Sequence, residues 1–239
     1  MDRLDDVARQ GYDHLTLQNR MSSFVIHRCL PFVLGPRVLS LGYAKDDWPE
    51  SLAGLGHRVD IVEGAASHVE HARARFRDRD GIRVIHSTFE AFVADTRYDT
   101  VVAGGVVEMV ADPRSLLTKT RKLAQPAGRM ILTTANALSL HRRVGVALGI
   151  ESSPYDLNER AKRTETRQLF DQAGLRALLD ATGWAVQELF GCILKPFAEA
   201  QMRDWDNRML EVLALSGDMV EADLCKELVA VCTPAAPRT

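Results

Sequence analysis

Arg37–Glu63, RVLSLGYAKDDWPESLAGLGHRVDIVE, runs from a short apolar segment through a glycine turn and a helix-spaced segment to a second apolar segment that ends on an acid. That order decides the fold. Val38, Leu39 and Leu41 predict a strand buried on both faces of a parallel sheet, stopping at Gly42. Asp46 to Leu55 predicts a helix: its start is acidic, Trp48, Leu52 and Leu55 recur at roughly helical spacing, and Gly56 stands where a helix would end. Arg58–Glu63 predicts a second strand, and Glu63-Gly64 puts a carboxylate at its carboxyl end, beside the first turn. In doubly wound sheets ligands bind in that crevice, and an acid at this position accepts hydrogen bonds from ribose hydroxyls.

The turn itself departs from the dinucleotide fingerprint G-x-G-x-x-G, because Gly42 is followed by Tyr43, Ala44, Lys45 and Asp46. Ala44 costs one methyl group of close approach. Asp46 puts a negative charge where a phosphate would meet a helix N-terminus. A ligand without a pyrophosphate is expected here, so NAD is not.

From Arg37 to about Gly149 the chain resembles the class I S-adenosylmethionine-dependent methyltransferases. Their first strand and turn follow V-L-(D/E)-(L/I)-G-x-G-x-G; here Ser40 replaces the acid, Ala44 the second glycine and Asp46 the third, while Glu63 matches the ribose-binding acid. The segments EGAASHVEHARARF, YDTVVAGGVVEMVADPRSLL, PAGRMILTTAN and NALSLHRRVGVALG resemble one bacterial subgroup. The resemblance implies an α/β fold with a doubly wound, mostly parallel seven-stranded sheet and an antiparallel C-terminal strand. It also implies an N-terminal helical cap over residues 1–36, a Rossmann-like domain over 37–239, and S-adenosyl-L-methionine as cofactor. Gly42, Ala44, Glu63, Gly64, Thr88, Phe89 and Gly104 would line the cofactor, with Thr88 and Phe89 along the adenine. Many relatives carry V-L-E-H after the fourth strand; Val106-Val107-Glu108-Met109 loses that histidine and keeps Glu108.

Composition bounds the rest. With 239 residues, 46% of them hydrophobic and 26% charged, the chain can bury one sizeable α/β core. A net charge of −2 gives no signature for nucleic acid or an anionic membrane, which favours a small-molecule substrate. Cys29, Cys192, Cys225 and Cys232 form no C-x-x-C pair, so neither a disulfide framework nor a metal site is expected. The start, MDRLDDVARQ, lacks an apolar leader, and a cytoplasmic location is expected.

Residues 2–33 predict two short helices capping the sheet's mouth, with Tyr12 a candidate substrate contact. Ala65–Arg79 predicts a helix with Val69, Ala72 and Phe76 inward. Strands are predicted at Ile82–His86, Tyr98–Ala103 and Arg129–Thr134, and Gly104-Gly105 should let backbone approach a ligand. The βα pattern leaves Asn136–Leu169 unexplained, and such an insertion after a strand's carboxyl end is where a substrate lid belongs. Asn136, His141 and Tyr155 are its candidate site residues: Asn136 and His141 for catalysis, Asn136 and Tyr155 for substrate. Further on, a helix over Phe170–Thr182, a strand over Trp184–Leu194, a helix over Ala198–Ser216 and a last strand over Leu224–Cys232 are predicted. The Ala198–Ser216 segment, with Met202, Trp205, Met209, Leu210, Val212 and Leu213, is either core or the face of a homodimer.

Three functions follow. The first is methylation of an O or N atom of a small metabolite, with Glu108 or His141 as proton acceptor, since a sulfonium needs little further activation. The second is ring closure of the cofactor's own amino acid chain to azetidine-2-carboxylate with release of methylthioadenosine. The third is a non-catalytic relative, against which the retained Glu63 argues.

Overall fold

The computed structural model describes residues 15–43, 47–158, 161–162, 166–202 and 204–236. One sheet contains β1 (Arg37–Leu41), β2 (Arg58–Glu63), β3 (Ile82–His86), β4 (Tyr98–Gly104), β5 (Ala124–Ala135), β6 (Trp184–Cys192) and β7 (Glu227–Pro234). The spatial order is β3-β2-β1-β4-β5-β7-β6. The first five strands pair in parallel, and β7 runs antiparallel to both β5 and β6. This is the mostly parallel, seven-stranded architecture that the sequence implies.

Alternation along each strand feeds two separate cores, as the pleat requires. On one face Val38, Val59, Ile61, Val102, Ile131 and Val229 pack with apolar residues of five helices. These are α1 (Leu15–Cys29), α2 (Trp48–Gly54), α3 (Ala66–Arg75), the short α7 (Glu199–Met202) and α8 (Asn207–Ser216). On the other face Leu39, Val62, Val101, Ala103, Met130 and Leu132 pack against α4 (Pro113–Leu123) and α6 (Gln172–Ala181). Trp184 ties β6 to that second face, its Nε1 donating to the Leu117 carbonyl at 3.0 Å. Local signals agree with the ends: the Asp112 carboxylate caps α4 by accepting Ser115 N at 2.9 Å, and Pro113 opens that helix.

Several boundaries differ from expectation, the last strand (expected at Leu224–Cys232, observed as Glu227–Pro234) and the end of α3 at Arg75 among them. Leu55 is 58% exposed, because α2 ends at Gly54 and only Trp48 and Leu52 of its expected apolar set turn inward. β5 starts at Ala124, five residues early, since Ala124 already pairs with Tyr98 across an irregularity in the ladder. Ala198–Ser216 is two helices, broken where the Asp206 carboxylate caps α8 through Met209 N. Its apolar set therefore faces two ways: Met202 and Leu210 are buried, whereas Met209 and Val212 are exposed. Finally, the described part of the N-terminal region is one helix and a 3-10 turn (Leu30–Phe32), and Met21, Val25, Ile26 and Cys29 make it a layer of the first core.

The chain moves outward from β1 to β2 and β3, then returns to place β4 on the other side of β1. The carboxyl ends of β1 and β4 are therefore the switch point at which a doubly wound sheet opens a crevice. No helix among the described residues is long and apolar enough to cross a membrane.

Candidate active site

Gly42 closes β1 with φ +81°, and its N–H continues the parallel ladder by donating to the Val62 carbonyl at 2.8 Å. A side chain is disfavoured at that dihedral. A methyl group there would also come within 3.5 Å of Val106 and 3.8 Å of the Phe89 ring. Gly42, Phe89 and Val106 thus meet at one point, although they leave three different strand ends.

Glu63 lies one strand over. Its Oε2 accepts the Tyr43 N–H at 2.8 Å and its Oε1 the Ala65 N–H at 2.7 Å, while His68 Nδ1 stands 3.5 Å from Oε2. Burial alone would raise this carboxyl; His68 and the two backbone N–H groups outweigh it and hold the group below its usual value. Glu63 is therefore a fixed carboxylate at neutral pH. Next to it, the Gly64 carbonyl is 3.2 Å from His86 Nε2, and the Glu63 carbonyl accepts Ser87 N at 3.0 Å, so β3 closes the same wall.

The adenine-side candidates differ in kind. Phe89 packs on the second core and presents its ring edge towards Gly42. Thr88 is exposed, and its Oγ1 accepts Ala91 N at 3.2 Å, capping the turn that follows. At the end of β4 the two glycines divide their roles. A methyl group on Gly104 would approach Trp48 Nε1 to 3.4 Å, whereas Gly105 (φ +64°) faces open space. Gly104 thus makes room for an indole, and Gly105 is the residue that opens the crevice. Neither Trp48 nor Val106 was a sequence candidate, because each is indistinguishable from a core residue until α2 and β4 are folded against each other. Ala44 and Tyr12 lie outside the described residues.

Beyond β4, Glu108 turns inward at the carboxyl edge. Its Oε2 accepts hydrogen bonds from the Thr134 hydroxyl and from Ala135 N (2.8 Å), and its main-chain carbonyl accepts Arg167 N at 2.9 Å from the long insertion. Burial pushes its carboxyl up; the bonds from Thr134 and Ala135 offset part of that rise. Thr134, which holds this acid, carried no sequence signal beyond strand propensity.

Three candidates of the insertion are constrained by the fold around them. Asn136 is 1% exposed, and its Nδ2 donates to the carbonyls of Ala222 (3.2 Å), Asp223 (3.0 Å) and Cys225 (2.8 Å) while Oδ1 accepts Leu138 N at 3.0 Å. The side chain stitches the end of β5 to the turn before β7. Asn136→Ala is accordingly expected to destabilise the fold by about 1–3 kcal/mol, the cost of stranding buried carbonyls, in urea denaturation. Unchanged stability with a lower turnover rate would return this residue to the chemistry. His141, in the first turn of α5 (Leu140–Ala147), is pushed down to about 3 by burial and then by Lys195, Lys226 and Arg142, so its imidazole is neutral and a poor proton acceptor. Tyr155 donates to Asp171 Oδ2 at 2.7 Å, which tethers the insertion to the start of α6.

The insertion is nonetheless well fastened over this edge. Asn136 forms an isolated parallel bridge with Phe170, Ala137 N donates to the Phe170 carbonyl at 2.8 Å, and Arg142 holds the carbonyls of Pro154 (2.5 Å) and Asp156. A groove of about 470 Å³ lined by Arg97, Arg121, Lys122, Pro126 and Pro234 lies at the opposite, amino edge. The four cysteines are free and buried, with burial raising each thiol. Among the described residues no group of three or more His, Cys, Asp or Glu side chains could hold a metal ion.

These residues fit an adenosyl ligand that carries no phosphate. Glu63 Oε1, whose partner is the Ala65 N–H, keeps a lone pair for a ribose hydroxyl, and Gly105 leaves open space at the end of β4.

The comparisons with known proteins agree. A sequence model of the methyltransferase domain matches residues 12–189. A ubiquinone biosynthesis O-methyltransferase from Dinoroseobacter shibae is 29% identical over 169 residues, covering 69% of this chain and 66% of that protein. The chain thus spans just under two thirds of that relative's length. Among solved structures, a chain from the complex between the Haloferax volcanii Trm112 methyltransferase activator and its methyltransferase superposes with a TM-score of 0.69, 18% identity and 99% coverage of both chains. The glycopeptide N-methyltransferase MtfA, complexed with S-adenosyl-L-methionine, superposes with a TM-score of 0.60 and 14% identity, covering 89% of this chain and 86% of MtfA. Strand order, switch-point crevice, ribose-type acid and family match converge: the chain belongs to the methyltransferase-domain family, the S-adenosyl-L-methionine-dependent methyltransferases of Rossmann-like fold.

Proposed function

We propose that the protein methylates a hydroxyl oxygen of a small metabolite, with S-adenosyl-L-methionine held at Gly42, Glu63, Phe89 and Gly105 and Glu108 accepting the hydroxyl proton. The bound cofactor supplies a methyl group already activated by its sulfonium. What the chain adds is position and a base. Glu108 is the observation that carries this reading: a desolvated carboxyl with a raised pKa, fixed by Thr134 and Ala135 N at the edge of the crevice, is a better proton acceptor than an ordinary carboxylate. Oxygen is chosen over nitrogen because the Dinoroseobacter shibae relative is named for O-methylation. Its name also makes a hydroxylated ubiquinone precursor the first acceptor to test. The reported relatives and structures are all methyltransferases and lend ring closure no support.

The test is incubation of purified protein with methyl-labelled S-adenosylmethionine, with and without the acceptor. Label on the acceptor oxygen, with S-adenosylhomocysteine formed in equal amount, is the expected result. Methylthioadenosine released without any acceptor would overturn methyl transfer in favour of ring closure.

The insertion from Asn136 to Leu169 acts in this reading as the lid. Its link to the base is direct, through Arg167 N and the Glu108 carbonyl. Hydrogen exchange across 150–169 is expected to slow when S-adenosylhomocysteine is added, as a closing segment loses local openings. Equal exchange with and without ligand would leave the insertion as a static wall.

A further inference from the structure

The first turn has lost two of three family glycines, yet it delivers a backbone N–H to Glu63 at 2.8 Å. What holds it is the side chain of Tyr43. That residue is 1% exposed, in a turn whose position is ordinarily set by glycine packing. Its ring lies edge-on to Phe76 with centroids 5.8 Å apart, and its hydroxyl is 3.0 Å from His71 Nδ1 on α3. Arg75, one turn further along α3, donates from Nη1 to the same hydroxyl at 3.3 Å. The Arg75 Nη2 reaches across to Glu50 Oε2 at 2.5 Å and Asp47 Oδ1 at 3.1 Å, at the start of α2. One buried phenol therefore joins the turn to both helices that flank it.

The geometry points to Tyr43 as the positioning residue of the ribose carboxylate, its anchored hydroxyl fixing the turn so that its own N–H holds Glu63 in place. Two of the groups that fix Glu63, the Tyr43 N–H and His68, lie on elements that this phenol connects: the turn itself and α3. Glycine gives a turn its shape by leaving space. Here Tyr43 is fixed by filling space and bonding at the far end, where Arg75, Glu50 and Asp47 form an ion-pair cluster beside it. Side chains that position a binding group act through the geometry they lock.

This inference rests on the adenosyl-binding reading of Glu63, and the test separates the two. S-adenosylhomocysteine and its 2′-deoxy and 3′-deoxy analogues are titrated by calorimetry into wild type, Glu63→Ala, Tyr43→Phe and Arg75→Met. The wild type should prefer the ribo ligand, and Glu63→Ala should abolish the preference. Tyr43→Phe, which keeps the ring and removes the anchor, should weaken the ribo ligand about 10-fold and each deoxy analogue clearly less, because a deoxy analogue keeps only one of the two hydroxyls that bind through the carboxylate. Arg75→Met should show the same pattern at smaller size and decides the matter if Tyr43→Phe does not fold. No binding by the wild type would overturn the adenosyl reading itself. Ribose discrimination lost in Glu63→Ala but intact in the anchor variants, or a uniform loss for all ligands in those variants, would overturn the role given to Tyr43 alone.

Discussion

Glu108→Gln is expected to lower kcat by about 100-fold or more while leaving S-adenosylhomocysteine affinity within about twofold. The amide keeps an oxygen that can accept from Thr134 and Ala135 N, so the local bonding is conserved and only the capacity to take a proton is lost. Two further readouts distinguish a base from a structural acid. In the wild type, kcat should fall as pH drops through the Glu108 value, which burial sets above the ordinary 4.5. Stability carries the opposite dependence. A carboxyl whose folded value is raised favours the folded state in its protonated form, so its contribution is complete below the unfolded value and is lost as pH rises through the folded one. Glu108→Gln stays neutral throughout, and its stability relative to wild type should increase with pH in denaturation experiments. A variant with normal kcat would remove Glu108 from the chemistry, and one that loses stability at all pH values would make it a structural acceptor.

The second large effect concerns the cofactor. Glu63→Ala is expected to weaken S-adenosylmethionine and S-adenosylhomocysteine by about 1–3 kcal/mol, roughly 5- to 150-fold, because it removes a charged acceptor and leaves the Tyr43 and Ala65 N–H groups to find other partners. Calorimetry reads this directly. The sign of the Glu63 shift adds a pH test: with its folded value below the usual one, the carboxylate persists as pH falls, so cofactor affinity should hold through pH 5 before declining. Affinity unaltered by the substitution would move the adenosyl site elsewhere on the sheet edge.

Local pattern carried the fold and the strand ends that line its crevice. Apolar runs stopping at Gly42, Glu63 and Gly104 are short-range features, and parallel strands convert them into one shared edge without further information. The acid after β2 is legible for the same reason, since a strand's last residue occupies the carboxyl edge whatever packs around it. Glu108 was visible through a family motif, but its desolvation was not, because Thr134 and Ala135 reach it from the next strand, 26 and 27 residues away.

What the sequence could not supply is the direction in which polar side chains point once distant segments meet. Asn136 has the residue type and position of a catalytic amide, yet carbonyls 86 to 89 residues further on take up its donors. His141 looked like a base until Lys195, Lys226 and burial set its charge. Tyr43 carried no signal beyond its place after Gly42 until α3 supplied His71 and Arg75, 28 and 32 residues away, to hold its hydroxyl. Strand order and edge position follow from hydrophobic period and chain polarity, which are properties of neighbours in sequence. Whether a polar atom is free to act depends on which long-range partners have already satisfied it, and that is settled only when the chain is folded.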